Sequence, residues 1–269
     1  MNNTLSYLRT SKLPHIWCPG CGNGIVVGAI TRAIEASGID RDKTVVVSGI
    51  GCSSRAPGYM DFDTLHTAHG RALAFATGIK MANPDLHVII ISGDGDASAI
   101  GGNHLIHACR RNIDMTLIIV NNNIYGMTSG QYSPLTPTGA FATTAVYGNV
   151  DRTFDLPALT SGAGATYVAR STVYHTPQLT KYIETGIKNK GFSVIEAVST
   201  CPTYFGRKNG LPEPVQMLEW LKDNSTNRKE GVTEYDKTYV LGEFVNKTAP
   251  EYTESYYNNV IMKAKGGGK

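Results

Sequence analysis

No stretch of the sequence approaches the roughly 20 consecutive apolar residues of a membrane-spanning helix. The opening residues, Met1 to Thr10, lack the basic-then-apolar order of a secretory signal. The expectation from both absences is a cytoplasmic protein that engages no membrane. Charge of one sign is also scarce: 25 basic against 22 acidic residues leave a formal net charge of +3. The basic residues are scattered outside the tail, so an electrostatic footprint for nucleic acid is missing, while small acidic molecules remain eligible partners. There is no internal repeat and no phosphate-binding P-loop. The G-x-G-x-x-G order of a nicotinamide site does not follow the first predicted strand. Cysteines are few and odd in number, five in all. In a reducing compartment such residues act as metal ligands, catalytic groups or buried thiols more often than as disulfides.

What is present suits a globular domain with a real core: 41% hydrophobic and 17% charged residues. From about residue 24, helical patterns alternate with short β-branched runs, the signature of βαβ units. The fold class expected is α/β, with a doubly wound, mostly parallel sheet covered by helices on both faces. Near-continuous apolar runs predict strands at Thr44–Ser48, Leu86–Ser92, Met115–Val120, Ala165–Ala169 and Phe192–Val198. Helices are predicted over Gly24–Ala36, His69–Met81, Gly102–Arg110, Pro177–Asn189 and Pro214–Lys222. The expected division is a cofactor domain over residues 1–210 and a C-terminal extension over 211–269. The Tyr-rich and then Gly/Lys-rich tail, Tyr235 to Lys269, reads as extended arms and loops that contact another subunit.

Four polar segments directly follow predicted strands: Gly49-Ile50-Gly51-Cys52, Gly93-Asp94-Gly95, Asn121-Asn122-Asn123 and Thr200-Cys201. In a parallel sheet these places share one edge, and ligands bind outside the carboxyl ends of such strands. Glycines in Gly93-Asp94-Gly95-Asp96 allow close backbone approach to a pyrophosphate, and exposed amides can cradle it. Asp94 offers a hard anionic oxygen and the Asn tract a neutral one, a donor set suited to octahedral magnesium. Either fragment alone reads as an ordinary turn. The pair at successive strand ends reads as a site.

Trp17-Cys18-Pro19-Gly20-Cys21 puts two thiols on one tight turn, and Cys52 and Cys201 arrive at strand ends. Four thiolates from three segments satisfy tetrahedral zinc or a 4Fe–4S cluster, and the first pair alone would serve as a dithiol. Spacing does not separate these alternatives. Cys109, inside a helical pattern, reads as a buried thiol, and His66, His104 and His107 as packing or exposed helix-face residues.

Gly-Asp-Gly followed by Asn-Asn resembles the thiamine diphosphate motif of thiamine-dependent enzymes. That resemblance implies magnesium held by Asp94, Asn122 and the main-chain carbonyl of Ile124. It further implies that Gly95, Asp96, Gly126, Met127 and Thr128 line the diphosphate. With Trp-Cys-Pro-Gly-Cys-Gly-Asn-Gly, Gly-Ile-Gly-Cys-Ser-Ser-Arg, His-Thr-Ala-His-Gly-Arg-Ala and Cys-Pro-Thr-Tyr-Phe-Gly-Arg, residues 13–210 resemble the β subunit of 2-oxoacid:ferredoxin oxidoreductases. The wording is most similar to the 2-oxoglutarate branch.

The resemblance implies thiamine diphosphate, Mg2+ and one 4Fe–4S cluster held by Cys18, Cys21, Cys52 and Cys201. Cofactor contacts would fall on Ile50, Gly51, Cys52, Ser53 and His69, with His69 stabilising the diphosphate or developing charge. Arg55 is the candidate partner of a substrate carboxylate, because guanidinium offers a planar fork matched to it. The implied reaction is oxidative decarboxylation of a 2-oxoacid to its coenzyme A ester, with electrons passing through the cluster to ferredoxin. An α subunit would carry the pyrimidine half of the thiamine site, with gamma and delta subunits as further candidates. Pyruvate and branched-chain 2-oxoacids are alternative substrates. A zinc-stabilised nucleotide-binding protein without redox activity and a non-catalytic electron-transfer subunit are alternatives of other classes.

Overall fold

A computed structural model describes residues 4–234, 236 and 238–266. In chain order the main elements are α1 (Asn23–Ser37), β1 (Thr44–Ser48), β2 (Asp63–His66), α2 (Ala72–Ala82), β3 (His87–Gly93), α3 (Gly102–Arg111) and β4 (Met115–Asn121). They are followed by α4 (Leu156–Gly162), β5 (Tyr167–Thr172), α5 (Thr176–Lys188), β6 (Phe192–Val198), α6 (Pro214–Asp223), β7 (Ser225–Asn227), β8 (Tyr239–Asn246) and α7 (Tyr252–Tyr256). The strands form one sheet in the order β2-β1-β3-β4-β6-β5-β8-β7. β2 through β5 along that order pair in parallel, as do β7 and β8, and the β5–β8 pairing is antiparallel.

Alternation along the central strands explains the layers. Ile89 and Ile91 of β3 face a core shared with α1 and α5, through Ile30, Ile34, Leu179 and Ile183. Val88 and Ile90 face the opposite core, with Leu73 of α2, Leu105 of α3 and Leu156 of α4. A strand buried on both faces has no polar alternation, which is why β3 and β4 read as unbroken apolar runs.

The register aligns the carboxyl ends. Ser48 lies beside Ile91, Gly93 beside Val120, and Asn121 beside Val198. The chain leaves β1 toward β2 and leaves β3 toward β4, in opposite directions across the sheet. The crevice between the β1 and β3 carboxyl ends is thus a topological switch point, the place where open α/β sheets bind ligands.

β1 and β6 occupy their predicted spans, and the other predicted strands and helices are displaced at their ends by a few residues. α2 starts later than expected because Thr67–Arg71 forms a turn in which Gly70 adopts φ +69°. Short β2 carries no apolar signal, since it lies exposed at the sheet edge. The larger difference is the tail. Residues 239–246, read from sequence as part of an extended arm, form β8 and pair with β5 of this same chain. Gly242 and a register shift opposite Val168 and Ala169 break the period-2 pattern that would have marked the strand. Tyr235, Lys237 and residues 267–269 of that reading lie outside the described residues.

Candidate active site

A cavity of about 100 Å³ opens at the carboxyl ends of β1, β3 and β4. It is lined by Ile50, Gly51, Cys52, Ser53 and His69, by Asp94, Gly95 and Asp96, and by Asn122, Ile124, Gly126, Met127 and Thr128. Every residue expected at the magnesium and diphosphate site is therefore brought to one cavity. Gly93 and Tyr125 also line it. The absence of a side chain at Gly95 is a steric requirement: a Cβ there would lie 2.2 Å from the Tyr125 ring.

Asp94 is buried, and burial pushes its carboxyl up to about 7, against the pull of hydrogen bonds from Ser133 and the backbone. Ser133 donates its hydroxyl to Asp94 Oδ2 at 2.5 Å. Among the described residues the Asp94 side chain forms no ion pair, and the nearby carboxylate of Glu196 pushes its pKa in the same direction as burial. A buried carboxylate in this setting is suited to a cation rather than to a basic side chain. Across the cavity, Asn122 Oδ1 accepts the Ile124 N–H at 3.3 Å, and the intervening Asn123 adopts φ +64°. One carboxylate, one amide oxygen and the Ile124 main chain thus share the cavity as hard oxygen donors, the set magnesium takes.

Asp96 has a different position from Asp94. Its Oδ1 accepts the N–H groups of Gly70 at 2.7 Å and Ile50 at 3.2 Å and lies 2.5 Å from His69 Nδ1. Its Oδ2 accepts the Ser92 hydroxyl at 2.5 Å. Asp96 therefore joins the loops after β1 and before α2 and holds the His69 ring by its Nδ1. Gly49 is small for the same reason, since a Cβ there would meet Asp96 Oδ2 at 2.0 Å.

The second cavity, of about 210 Å³, is lined by Cys18, Cys21, Cys52 and Cys201 together with Ile16, Trp17 and Tyr204. The first cysteine turn is closed by the Cys21 N–H to Cys18 carbonyl bond. It docks on the loop after β6, where the Gly22 N–H donates to the Thr200 carbonyl and the Thr200 hydroxyl to the Gly20 carbonyl. Trp17 Nε1 donates to the Cys52 carbonyl at 2.7 Å, tying that turn to the loop after β1. α1 begins two residues after Cys21, which places a helix N-terminus beside the thiols. Burial, with smaller contributions from neighbouring thiolates, pushes the thiol of Cys21 up to about 11 and that of Cys52 to about 12. Burial also raises Cys201. Such thiols ionise together only beside a strongly positive group, which is the environment of a metal cluster. Among the described residues, no group of three or more His, Cys, Asp or Glu side chains closes on a single metal ion. A cavity of this volume is several times the roughly 30 Å³ that a water molecule occupies.

The docking of the cysteine turn gives a direct test. A Cβ at Gly22 would lie 2.2 Å from Ser199 Oγ and 2.9 Å from the Thr200 nitrogen. Gly22→Val is expected to lift the turn from the β6 loop; if the four thiols hold the iron–sulfur cluster that the resemblance implies, metal analysis of the purified complex should show its iron lowered at least severalfold.

Cys109 is buried in α3 and lines neither cavity, as expected of a packing thiol. His66 and His107 are exposed and His104 half-buried, away from both cavities. Arg55 is exposed on the turn after Cys52 and lines neither cavity, although its charge reaches the Cys52 thiol. Sequence reasoning missed Ser133 and Tyr125, for which only proximity to the Asn tract was a signal. It also missed Tyr239, whose hydroxyl meets Asn123 from β8.

Residues 49–197 match the family model described as thiamine pyrophosphate enzyme, C-terminal TPP binding domain. The 2-oxoglutarate synthase subunit KorB of Methanothermobacter marburgensis is 53% identical over 98% of this chain and 94% of its own length. The subunit of the same name from Methanocaldococcus jannaschii is 53% identical over 98% and 99%. Among solved structures, the 2-oxoglutarate:ferredoxin oxidoreductase of Magnetococcus marinus, determined with 2-oxoglutarate, coenzyme A and succinyl-CoA bound, is 32% identical. It superimposes with a TM-score of 0.87 over 98% of this chain and 91% of the other. The switch-point cavity, its neighbouring thiols and near full-length similarity lead to one assignment: the chain belongs to the thiamine pyrophosphate enzymes, among the β subunits of the 2-oxoglutarate:ferredoxin oxidoreductases.

Proposed function

We propose that this chain is the cofactor-bearing subunit for oxidative decarboxylation of 2-oxoglutarate to succinyl-CoA, with electrons leaving through a 4Fe–4S cluster toward ferredoxin. One observation carries the reading: the two cavities adjoin, sharing Cys52, Asn122, Gly126 and Met127 in their walls. A Cβ at Gly126 would lie 3.5 Å from Cys201 Sγ, 3.6 Å from Cys52 Sγ and 3.9 Å from Asn122 Nδ2. Thiamine diphosphate bound here would supply the carbanion chemistry at the ketone carbon, and a cluster beside it would supply one-electron acceptance. Asp94, Asn122 and the Ile124 carbonyl would hold Mg2+, and Cys18, Cys21, Cys52 and Cys201 the cluster. His69, oriented by Asp96, would stabilise the diphosphate or charge developing near it.

The cavity also supports the need for an α subunit. Its acidic side chains are Asp94, assigned here to the cation, and Asp96, which is committed to Gly70, Ile50, Ser92 and His69. Neither is free to activate the aminopyrimidine, so that acid would come from the partner, and this chain alone would be inactive. The test is anaerobic co-purification with the α partner, followed by assays with coenzyme A, ferredoxin and a panel of 2-oxoacids. Turnover of 2-oxoglutarate above pyruvate and branched-chain acids is expected; a preference for pyruvate would overturn the substrate assignment.

Arg55 is the residue of this chain proposed to meet the distal carboxylate of 2-oxoglutarate, from its exposed place beside Cys52. A charge-assisted contact contributes roughly 1.5–3 kcal/mol. Arg55→Ala is thus expected to lower kcat/KM for 2-oxoglutarate about tenfold or more, with pyruvate much less affected. Equal losses on both acids would instead assign Arg55 to the shared carboxylate, and no loss would leave it a surface residue.

A further inference from the structure

We infer that Tyr239, contributed by the C-terminal strand β8, is a positioning residue for the cation site: its hydroxyl clamps Asn123 and so fixes the turn that carries Asn122 and Ile124. The inference rests on the proposed role of those two residues as magnesium ligands. Asn123 lies between them with φ +64°, a backbone region that costs a non-glycine residue energy and persists where surrounding contacts hold it.

All of its polar groups are engaged. Asn123 Nδ2 donates to the Tyr239 hydroxyl oxygen at 2.8 Å, and that hydroxyl donates back to Asn123 Oδ1 at 3.1 Å. The Asn123 N–H donates to Asn121 Oδ1 at 3.0 Å, and its carbonyl accepts the Thr136 hydroxyl at 2.5 Å. Asn121 is itself anchored by Glu196 Oε1 at 2.7 Å, and Arg170 Nε holds the other Glu196 oxygen at 2.7 Å. Three of these supports, Asn121, Glu196 and Arg170, come from the central strands. Tyr239 comes from the tail, outside the residues 49–197 that match the thiamine-binding model.

Tyr239 is placed rigidly enough for this task. Its ring meets Trp220 of α6 edge-on at 6.0 Å, and its N–H donates to the Asn224 carbonyl at 3.0 Å. The hydroxyl is buried with Asn123 as its hydrogen-bond partner, so its removal leaves the amide of Asn123 without its bidentate partner. Magnesium demands near-ideal octahedral geometry, so a small rotation of this turn is felt as lost affinity. The tail of the chain thereby gains a function in the site that its sequence does not announce.

The experiment compares Tyr239→Phe, Asn123→Gly and the double variant in the assembled, cofactor-stripped complex. Thiamine diphosphate binding is titrated with Mg2+ and followed by calorimetry, and iron content and thermal unfolding are measured alongside. Tyr239→Phe is expected to raise the half-saturating Mg2+ concentration roughly fivefold, the size of one lost hydrogen bond. Iron content should stay at the wild-type level. Asn123→Gly keeps the left-handed backbone accessible but removes the clamp, and adding Tyr239→Phe to it should bring no further loss. An unchanged Mg2+ requirement in Tyr239→Phe, additive losses in the double variant, or iron lost in step with cofactor would each overturn the inference. A wild-type complex that takes up no thiamine diphosphate would overturn the proposed function and this inference with it.

Discussion

Cys201→Ser, in complex with the α partner and purified anaerobically, is expected to lose its iron, from about four atoms per chain to near zero. Cys201 is buried on the loop that follows β6, next to Thr200, which the cysteine turn grips through Gly22 and Gly20. Serine preserves the shape of the side chain but offers a harder, far less acidic donor, so the change would remove the proposed thiolate ligand while leaving the fold. Cys109→Ser supplies the control: that thiol is buried in α3 and lines neither cavity, so its iron content should match the wild type. Unchanged iron in Cys201→Ser would remove this residue from the ligand set. Iron and acid-labile sulfide assays with the visible spectrum are sufficient to decide.

The second large effect is expected at Asp94. Asp94→Ala removes the charged donor of the proposed cation site, and thiamine diphosphate affinity should fall by about 100-fold or more. Outer-shell partners of a metal already contribute ten- to a hundredfold, and a direct anionic ligand contributes at least as much. Iron content should be retained, because Asp94 lines the first cavity and not the thiol cavity. Asp94→Asn separates charge from shape, since it keeps one oxygen able to accept from Ser133. It should resemble the alanine variant if charge dominates. Thiamine diphosphate copurifying at wild-type levels with Asp94→Ala would contradict the assignment.

The two variants together dissect the shared wall. Loss of iron without loss of cofactor in one, and of cofactor without iron in the other, would be the behaviour of two adjacent but separately built sites.

Much of this arrangement is legible in the sequence because its chemistry is attached to strand ends. Gly93-Asp94-Gly95 and Asn121-Asn122-Asn123 each interrupt an apolar run, and a parallel sheet with a common register brings such interruptions to one edge. Cys52 and Cys201 follow the same logic, and Cys18 and Cys21 signal by spacing alone. The sequence is silent where support comes from far along the chain. Ser133 reaches Asp94 from a loop with no periodicity, and Tyr239 reaches Asn123 across 116 positions. β8 is hidden because Gly242 and the extra residue between Glu243 and Val245 interrupt its alternation, although its partner β5 is visible. Asp96 sits at the strand end where the sequence puts it, but its engagement by Gly70, Ile50, Ser92 and His69 depends on loops whose approach no local pattern specifies.

A thiamine site and a redox cluster that share a wall in this chain should exchange electrons as soon as substrate is added, without any external acceptor. The anaerobically purified complex, loaded with thiamine diphosphate and Mg2+, is mixed with 2-oxoglutarate in the absence of ferredoxin while the visible absorption and paramagnetic resonance of its iron are recorded. Cluster counts are assigned by comparison with Cys201→Ser. 2-Oxoglutarate-dependent bleaching and a reduced-cluster signal are expected in the wild type, both missing from Cys201→Ser and from Asp94→Ala. A wild-type complex that is colourless, contains stoichiometric zinc in place of iron, or shows no spectral response to any 2-oxoacid would contradict this arrangement.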